Sequence, residues 1–317
     1  MVRAMTDNSA APVPPLFEGL RRLLAPLERR WTGLSPMGRG ILLVSTGSLT
    51  LVLMGTAVKW LGDRLPSFEL LFFRSFVGFF FVLPVFWRDP LAPFRTKRFG
   101  MHFVRGAIGS AGNMCFFWTL THMLLADAMA IQFSRPLFMI PLALLFLREQ
   151  VGLQRVAVAV VGFFGILLYA RPFTAGFDPN ALVGAAGAMF GGLVIVCIKR
   201  LSTTESTATI MFYYAFWNAV LVAVPTYTVW VTPQGHEWLI LLLIGMLGIG
   251  GQAMVTAGLR LGDTTALTPL DYSRVLYSAV IGFAVFGELP GLWSLAGMAI
   301  ILGASLYLVL TERRRAA

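Results

Sequence analysis

Four consecutive residues, Asp271, Tyr272, Ser273 and Arg274, set an acid, a phenol, a hydroxyl and a guanidinium inside a segment otherwise apolar enough to cross a bilayer. A charged side chain in hydrocarbon costs at least ~3 kcal/mol on insertion scales, so this acid and base are expected to face a protein interior or a wet cavity. Asp271 and Arg274 stand at helical i, i+3 spacing. They can pair with each other when no substrate is held, and Asp271 can also take up a proton as a coupling group.

The pattern occurs twice. A shift of 139 positions aligns Phe133-Ser134-Arg135 with Tyr272-Ser273-Arg274, Gln132 with Asp271, and Glu149 with Glu288. A shift of 140 aligns Lys59 with Lys199, Phe72 with Phe212 and Phe76 with Phe216. Unlike regions agreeing on nearly one offset indicate an internal duplication, with one unit over residues 41–172 and a second over 180–310. Arg135 and Arg274, matched across the units, can present positive charge to an anionic group of a substrate. Phe133, Tyr272 and Trp118 offer stacking surface, and Gln132, Ser134 and Ser273 flank them. Arg74, Asn113, Tyr214 and Gln252 complete the candidate substrate-binding set. The competing reading is structural: arginines that staple helices, an Asn113 that bonds across two helices, and aromatics that pack.

The elements that must carry these groups follow from composition. The chain is 57% hydrophobic and 13% charged, with a mean hydropathy of +0.76, against about 25% charged residues in a soluble domain. Its 317 residues contain ten apolar blocks, each near the ~20 residues that span ~30 Å of hydrocarbon. The expected fold is an all-α integral membrane protein of ten transmembrane helices. An odd number per unit makes the two five-helix repeats inverted relative to one another. In the fourth block Pro136 and Pro141 follow the polar group, a helix-breaking pattern that points to a midplane site. The third block has Gly106, Gly109 and Gly112 at helical spacing, a smooth side for close packing.

The net charge of +10 is distributed by topology. With the amino terminus inside, the bases of the tail, of residues 88–98, and Arg148, Arg155, Lys199, Arg200, Arg260 and Arg313 to Arg315 share the cytoplasmic side. Lys59, Arg64 and Arg171 lie opposite. This positive-inside bias places both termini in the cytoplasm and makes the lipid bilayer, rather than nucleic acid, the partner of the charge. Residues 1–40 form a basic cytoplasmic tail without the apolar core of a signal peptide, residues 173–179 a linker, and 311–317 a basic cytoplasmic end. The absence of a targeting peptide suits a bacterial inner membrane. Cys115 and Cys197 lie in apolar blocks and read as small hydrophobes. His102, His122 and His236 are scattered, so neither metal nor cofactor is indicated.

The segments FFRSFVGFFFVLP (72–84), RPLFMIPLALLFLREQVGLQRVAVAVVGFFGILL (135–168) and GDTTALTPLDYSRVLYSAVIGFAVFGELPGLWSLAGMAIILGASLYL (262–308) resemble the drug/metabolite transporter superfamily, specifically its EamA-type transporters. Through IKRLSTTESTATIMFYYAF, GIGGQ and GDTTALTPLDYSR the chain also resembles the bacterial riboflavin and S-adenosylmethionine uptake members. The resemblance implies inverted halves around a central cavity, alternating access and a small-molecule substrate; amino-acid and metabolite exporters share the architecture. An intramembrane enzyme is the distant alternative, through Asp263 and Asp271, but eight residues separate them and no HExxH or GxSxG occurs. A channel or scaffold is the third class, which the duplicated broken helices disfavour. No ATP-binding motif is present, so an ion or solute gradient is the expected driving force.

Overall fold

A computed structural model describes residues 33–83, 95–96, 98–142, 144–145, 152–171, 174, 177–261, 267 and 270–316. The expectations for Glu149, Asp263 and most of the amino-terminal tail fall outside these residues. The described chain is helical: α1 (Pro36–Gly62), α2 (Ser67–Val82), α3 (Phe99–His122), α4 (Leu125–Gln132), α5 (Arg135–Leu142), α6 (Leu153–Ala170), α7 (Pro179–Leu201), α8 (Thr207–Thr228), α9 (Glu237–Leu261), α10 (Ser273–Phe286) and α11 (Leu292–Ala316). Helix starts follow local chemistry. Ser35 accepts from the Gly38 amide at 3.1 Å with Pro36 behind it, and Asp178 accepts from the Asn180 amide at 2.9 Å with Pro179 behind it. These caps satisfy amides that a helix leaves orphaned at its first turn.

Among the described residues four helices are long and apolar enough to cross a membrane: Pro36–Gly62, Pro179–Leu201, Thr209–Thr228 and Glu237–Leu261. Val156–Ala170, Ser273–Phe286 and Leu292–Leu308 are shorter apolar helices. Large apolar side chains such as Phe164, Val224, Leu276 and Phe283 point outward, a surface suited to lipid and not to water.

Helices of the first unit pack mainly on helices of the second: α1 on α9, α3 on α7, α6 on α11, α2 on α8, and the α4–α5 segment on α10 and α7. Small residues bring the backbones together. A methyl group on Gly47 of α1 would lie 2.9 Å from the Gly251 carbonyl oxygen of α9, and one on Gly187 of α7 would lie 2.9 Å from Cys115 Cβ of α3. Only glycine permits such crossings, where dispersion and close packing replace a hydrophobic drive that lipid cannot supply. Between α2 and α8 the cement is polar: Asn218 donates to Ser75 at 2.6 Å and Thr226 to the Phe68 carbonyl at 3.0 Å.

Both segments that carry the repeated polar group are interrupted at matched residues. Residues 125–142 form two helices, α4 and α5, parted by turns at Phe133 and Ser134 whose amides bond three residues back, to Ala130 and Ile131. Pro136 sits in the first turn of α5, where its missing donor is not needed. In the second unit the turn falls at Tyr272, directly before α10.

Lys59 and Trp60 end α1 differently from one another. Trp60 is exposed, as an interfacial indole should be. Lys59 turns inward: it pairs with Glu288, which also accepts from the Leu125 amide at 2.8 Å, and donates to the Met123 carbonyl.

Candidate substrate-binding site

The two helix breaks face each other at the centre of the bundle. Phe133 and Tyr272 stack with ring centroids 4.5 Å apart and 23° between planes. On the second-unit side Arg274 forms the i, i+3 ion pair with Asp271 expected from the spacing. Ser48 of α1 donates to Asp271 Oδ1 at 2.9 Å and sits 3.5 Å from Arg274 Nε. The Arg274 guanidinium carbon lies 5.9 Å from the centroid of the Phe133 ring. On the first-unit side Arg135 Nε donates to Gln132 Oε1 at 2.9 Å. Arg135 packs against Gly191 of α7 and lies within electrostatic reach of Arg274, Asp271 and Tyr214, yet it is solvent-accessible.

Next to it, Arg105 of α3 and Arg74 of α2 gather around Tyr214 of α8. Arg105, Gly109 and Asn113 recur every four residues and so share one face of α3. Tyr214 of α8 lies along that face: the Arg105 guanidinium carbon is 4.0 Å from its ring centroid, a methyl on Gly109 would touch its ring at 3.1 Å, and Asn113 Nδ2 donates to its hydroxyl at 2.7 Å. Asn113 also donates to Asn218 at 3.3 Å, bridging helices. Tyr214 is within electrostatic reach of Arg74, Arg105 and Arg135. Arg74 of α2 packs against Gly248 of α9 and stands 5.8 Å from the Phe117 centroid.

Of the residues singled out from sequence, the structure thus brings together Arg74, Asn113, Gln132, Phe133, Arg135, Tyr214, Asp271, Tyr272 and Arg274. Ser134 is fully buried and donates to the Ile131 carbonyl at 2.7 Å, closing the turn, whereas the buried Ser273 hydroxyl has no partner. Gln252 is exposed on α9, one turn beyond the Gly248 that meets Arg74. Trp118 lies apart, toward the end of α3, where its indole donates to Asn180 at 2.9 Å and stacks on His122.

Arg105, Asn218 and Ser48 belong to the centre without having been singled out as ligands. Arg105 carries the same signal as Arg74, a charge within an apolar span. Ser48 offers no sequence signal beyond being small. A further polar group occupies the end of the bundle where α1, α3 and α6 finish, around a cavity of about 580 Å³ that includes Lys59, Asp127, Tyr169, Arg171 and Ser294. There the buried Asp127 accepts from Tyr169 at 3.0 Å and from Ser294 at 3.3 Å. Among the described residues no cluster of His, Cys, Asp and Glu could hold a metal ion.

The chain matches the EamA-like transporter family twice, over residues 38–171 and 179–310. It is 31% identical over 256 residues to the "S-adenosylmethionine uptake transporter" of Rickettsia felis, covering 81% of this chain and 87% of that protein. It is 30% identical over 267 residues to the "Riboflavin transporter" of Brucella anthropi, covering 81% and 93%. To the "Pseudopaline exporter CntI" of Pseudomonas aeruginosa it is 30% identical over 277 residues, covering 86% and 97%. A solved crystal structure shares the fold, with a TM-score of 0.57 and 22% identity over 87% of this chain and 99% of that one. With the family matched across both units, the chain belongs to the EamA-like transporter family and is a multi-pass membrane transporter, not an enzyme.

Proposed function

We propose that the protein is a secondary carrier that moves a small organic metabolite across a bacterial inner membrane by alternating access. In this reading ten spans form two inverted five-helix halves with both termini cytoplasmic, and the substrate sits between the halves. The observation that carries it is the meeting of matched residues. Phe133 and Tyr272 stack on each other with Arg135 and Arg274 beside them, as two inverted halves sharing a midplane site would arrange them. The pairing of α1 with α9 and of α3 with α7 supports the same symmetry, since exchanging the halves converts one pair into the other.

Arg135 and Arg274 engage an acidic group, the stacked rings offer a surface to a planar ring, and Asp271 is the coupling group that takes up a proton when its pair with Arg274 opens. The named relatives include uptake carriers and an exporter, so the family sets no direction. Riboflavin and S-adenosylmethionine, the substrates in two of those names, both carry a planar heterocycle that the ring pair would accept.

Counterflow in liposomes of purified protein tests the reading. Vesicles are loaded with unlabelled riboflavin, S-adenosylmethionine or an aromatic amino acid, and the labelled compound is added outside. Saturable accumulation of one label without ATP, lost in Arg274→Ala, is expected. Non-saturable passage would make the protein a channel, and accumulation surviving the substitution would reduce Arg274 to a helix staple.

A further inference from the structure

Three arginines converge on one phenol in the interior without a carboxylate to meet them. Arg105 is 6% exposed, and its Nε and Nη1 have no hydrogen-bond partner; the buried Nε of Arg74 has none either. Among the described residues no acidic side chain forms an ion pair with Arg74, Arg105 or Arg135. The nearest carboxylate in the electrostatic surroundings of Arg135 is Asp271, already engaged by Arg274 and Ser48. Arginine does not lose its proton in proteins, so burial cannot silence these charges as it would a lysine or a histidine.

A buried cation without a counter-ion is strongly unfavourable, and its donors are preorganised for planar, bidentate contact with an oxyanion. Asn113 holds the Tyr214 hydroxyl as an acceptor, which leaves the phenolic proton to be donated. Arg135 is solvent-accessible while Arg74 and Tyr214 are half-buried, so a ligand reaches the group past Arg135.

We infer that Arg74, Arg105 and Tyr214, with Arg135 at the entrance, form an oxyanion receptor that selects substrates bearing a carboxylate or phosphate and a net negative charge. The inference rests on the carrier reading, and it makes Arg105 a specificity-determining residue. Arg105 and Tyr214 each stand about a turn and a half to two turns into their helices, α3 and α8. The receptor therefore lies between the ring pair and the helix ends from which α3 and α8 start. A substrate would place its ring on Phe133 and Tyr272 and its acidic group on the arginines. A net cation such as S-adenosylmethionine would be repelled.

The test uses the full chain in nanodiscs and in liposomes. Thermal unfolding is followed in phosphate, in propionate and in chloride at matched ionic strength, for the wild type, Arg105→Gln, Arg105→Lys and Tyr214→Phe. Phosphate or propionate is expected to raise Tm above chloride in the wild type, the effective anion naming the oxyanion. The rise should vanish in Arg105→Gln and shrink in Tyr214→Phe; Arg105→Lys keeps the charge, guards against a folding defect, and should retain part of it. Equal Tm in all three salts, or an anion shift unchanged in Arg105→Gln, overturns the receptor. Counterflow of labelled riboflavin 5′-phosphate and of riboflavin is run in parallel. The phosphate ester should outpace its neutral twin by about tenfold or more, the factor a hydrogen bond to a charged group commands, and lose that advantage in Arg105→Gln. Riboflavin counterflow that persists without an anion shift removes the receptor and keeps the carrier. An Arg105-dependent anion shift without counterflow of any label removes the carrier and keeps the receptor.

Discussion

The two broken helices carry the same motif with one difference in charge. In the first, Arg135 reaches back three residues to the neutral amide of Gln132; in the second, Arg274 reaches back three residues to the carboxylate of Asp271. Both breaks place a turn at the matched ring residue, Phe133 and Tyr272, and the substitution of an amide for an acid is the difference in charge between the halves. Arg274 is neutralised across its own break by Asp271 and further tied to Ser48, while Arg135 has no carboxylate in an ion pair and keeps its exposure. Under the carrier reading this asymmetry assigns the roles: the first-unit arginine attracts the substrate, and the second-unit pair responds to it.

Replacing Arg135 itself should have the largest effect. Arg135→Gln removes the unneutralised cation, and an acidic substrate should lose about tenfold to a hundredfold in half-saturating concentration for counterflow, the weight of a charge-assisted contact. Gln132→Glu reaches the same end without touching the arginine, by giving it the carboxylate that Arg274 already has. It should weaken acidic substrates by about tenfold while leaving a neutral ring compound unaffected. Equal sensitivity of acidic and neutral compounds to Gln132→Glu would mean that Arg135 acts on the helix and not on the ligand.

Asp271→Asn is the reciprocal change and should have the opposite sign. With an amide at the i−3 position, Arg274 becomes a second free cation, so affinity for an acidic substrate in counterflow should rise a few-fold. Unfolding should become easier: removing one partner of a buried pair costs about 3–5 kcal/mol. Here the side chains retain 18% and 21% of their exposure, which reduces the expected loss to about 2 kcal/mol. Accumulation driven by a proton gradient should fall if Asp271 is the coupling group, since the amide binds no proton. Counterflow, which needs no net proton movement, separates the two effects. A fall in counterflow affinity in both Gln132→Glu and Asp271→Asn would remove the asymmetry.

Much of this arrangement was legible in the chain because it is local or repeated. The pair Asp271 and Arg274 follows from spacing on one helix, and the correspondence of Phe133 with Tyr272 follows from the 139-residue offset. That those rings touch does not follow from either, since it requires the halves to meet at the matched positions. Pro136 and Pro141 announced a break, but its place, at Phe133 and Ser134, is set by the tolerance of proline for a first turn. Arg105 carries a charge within an apolar span as Arg74 does, but its partner Tyr214, lying against it from α8, is a tertiary contact that the local pattern does not contain. Trp118 misled in the other direction: an aromatic following Asn113 on one helix looks like a neighbour, but five residues along α3 carry it about 7 Å further to Asn180. The group around Asp127 joins α4, α6 and α11 through tertiary contacts, which no single-segment pattern contains.

The smallest effect sharpens the comparison most, because it asks whether the second break is shaped for a ligand. Ser134 and Ser273 occupy matched positions, and both hydroxyls are buried. Ser134 donates to the Ile131 carbonyl at 2.7 Å, so Ser134→Ala should cost about 1 kcal/mol of stability, the net value of such a bond. Ser273 has no partner for its hydroxyl, and a buried polar group left unmatched is a cost in itself. Ser273→Ala should therefore leave stability unchanged or raise it slightly. If the Ser273 hydroxyl meets the substrate, the same substitution should raise the half-saturating concentration for counterflow by several-fold with no loss in Tm. An unchanged transport curve would leave Ser273 as a remnant of the duplication. A stability loss equal to that of Ser134→Ala would show that the two serines close their turns alike, and would leave the residue three positions before each arginine as the difference in charge.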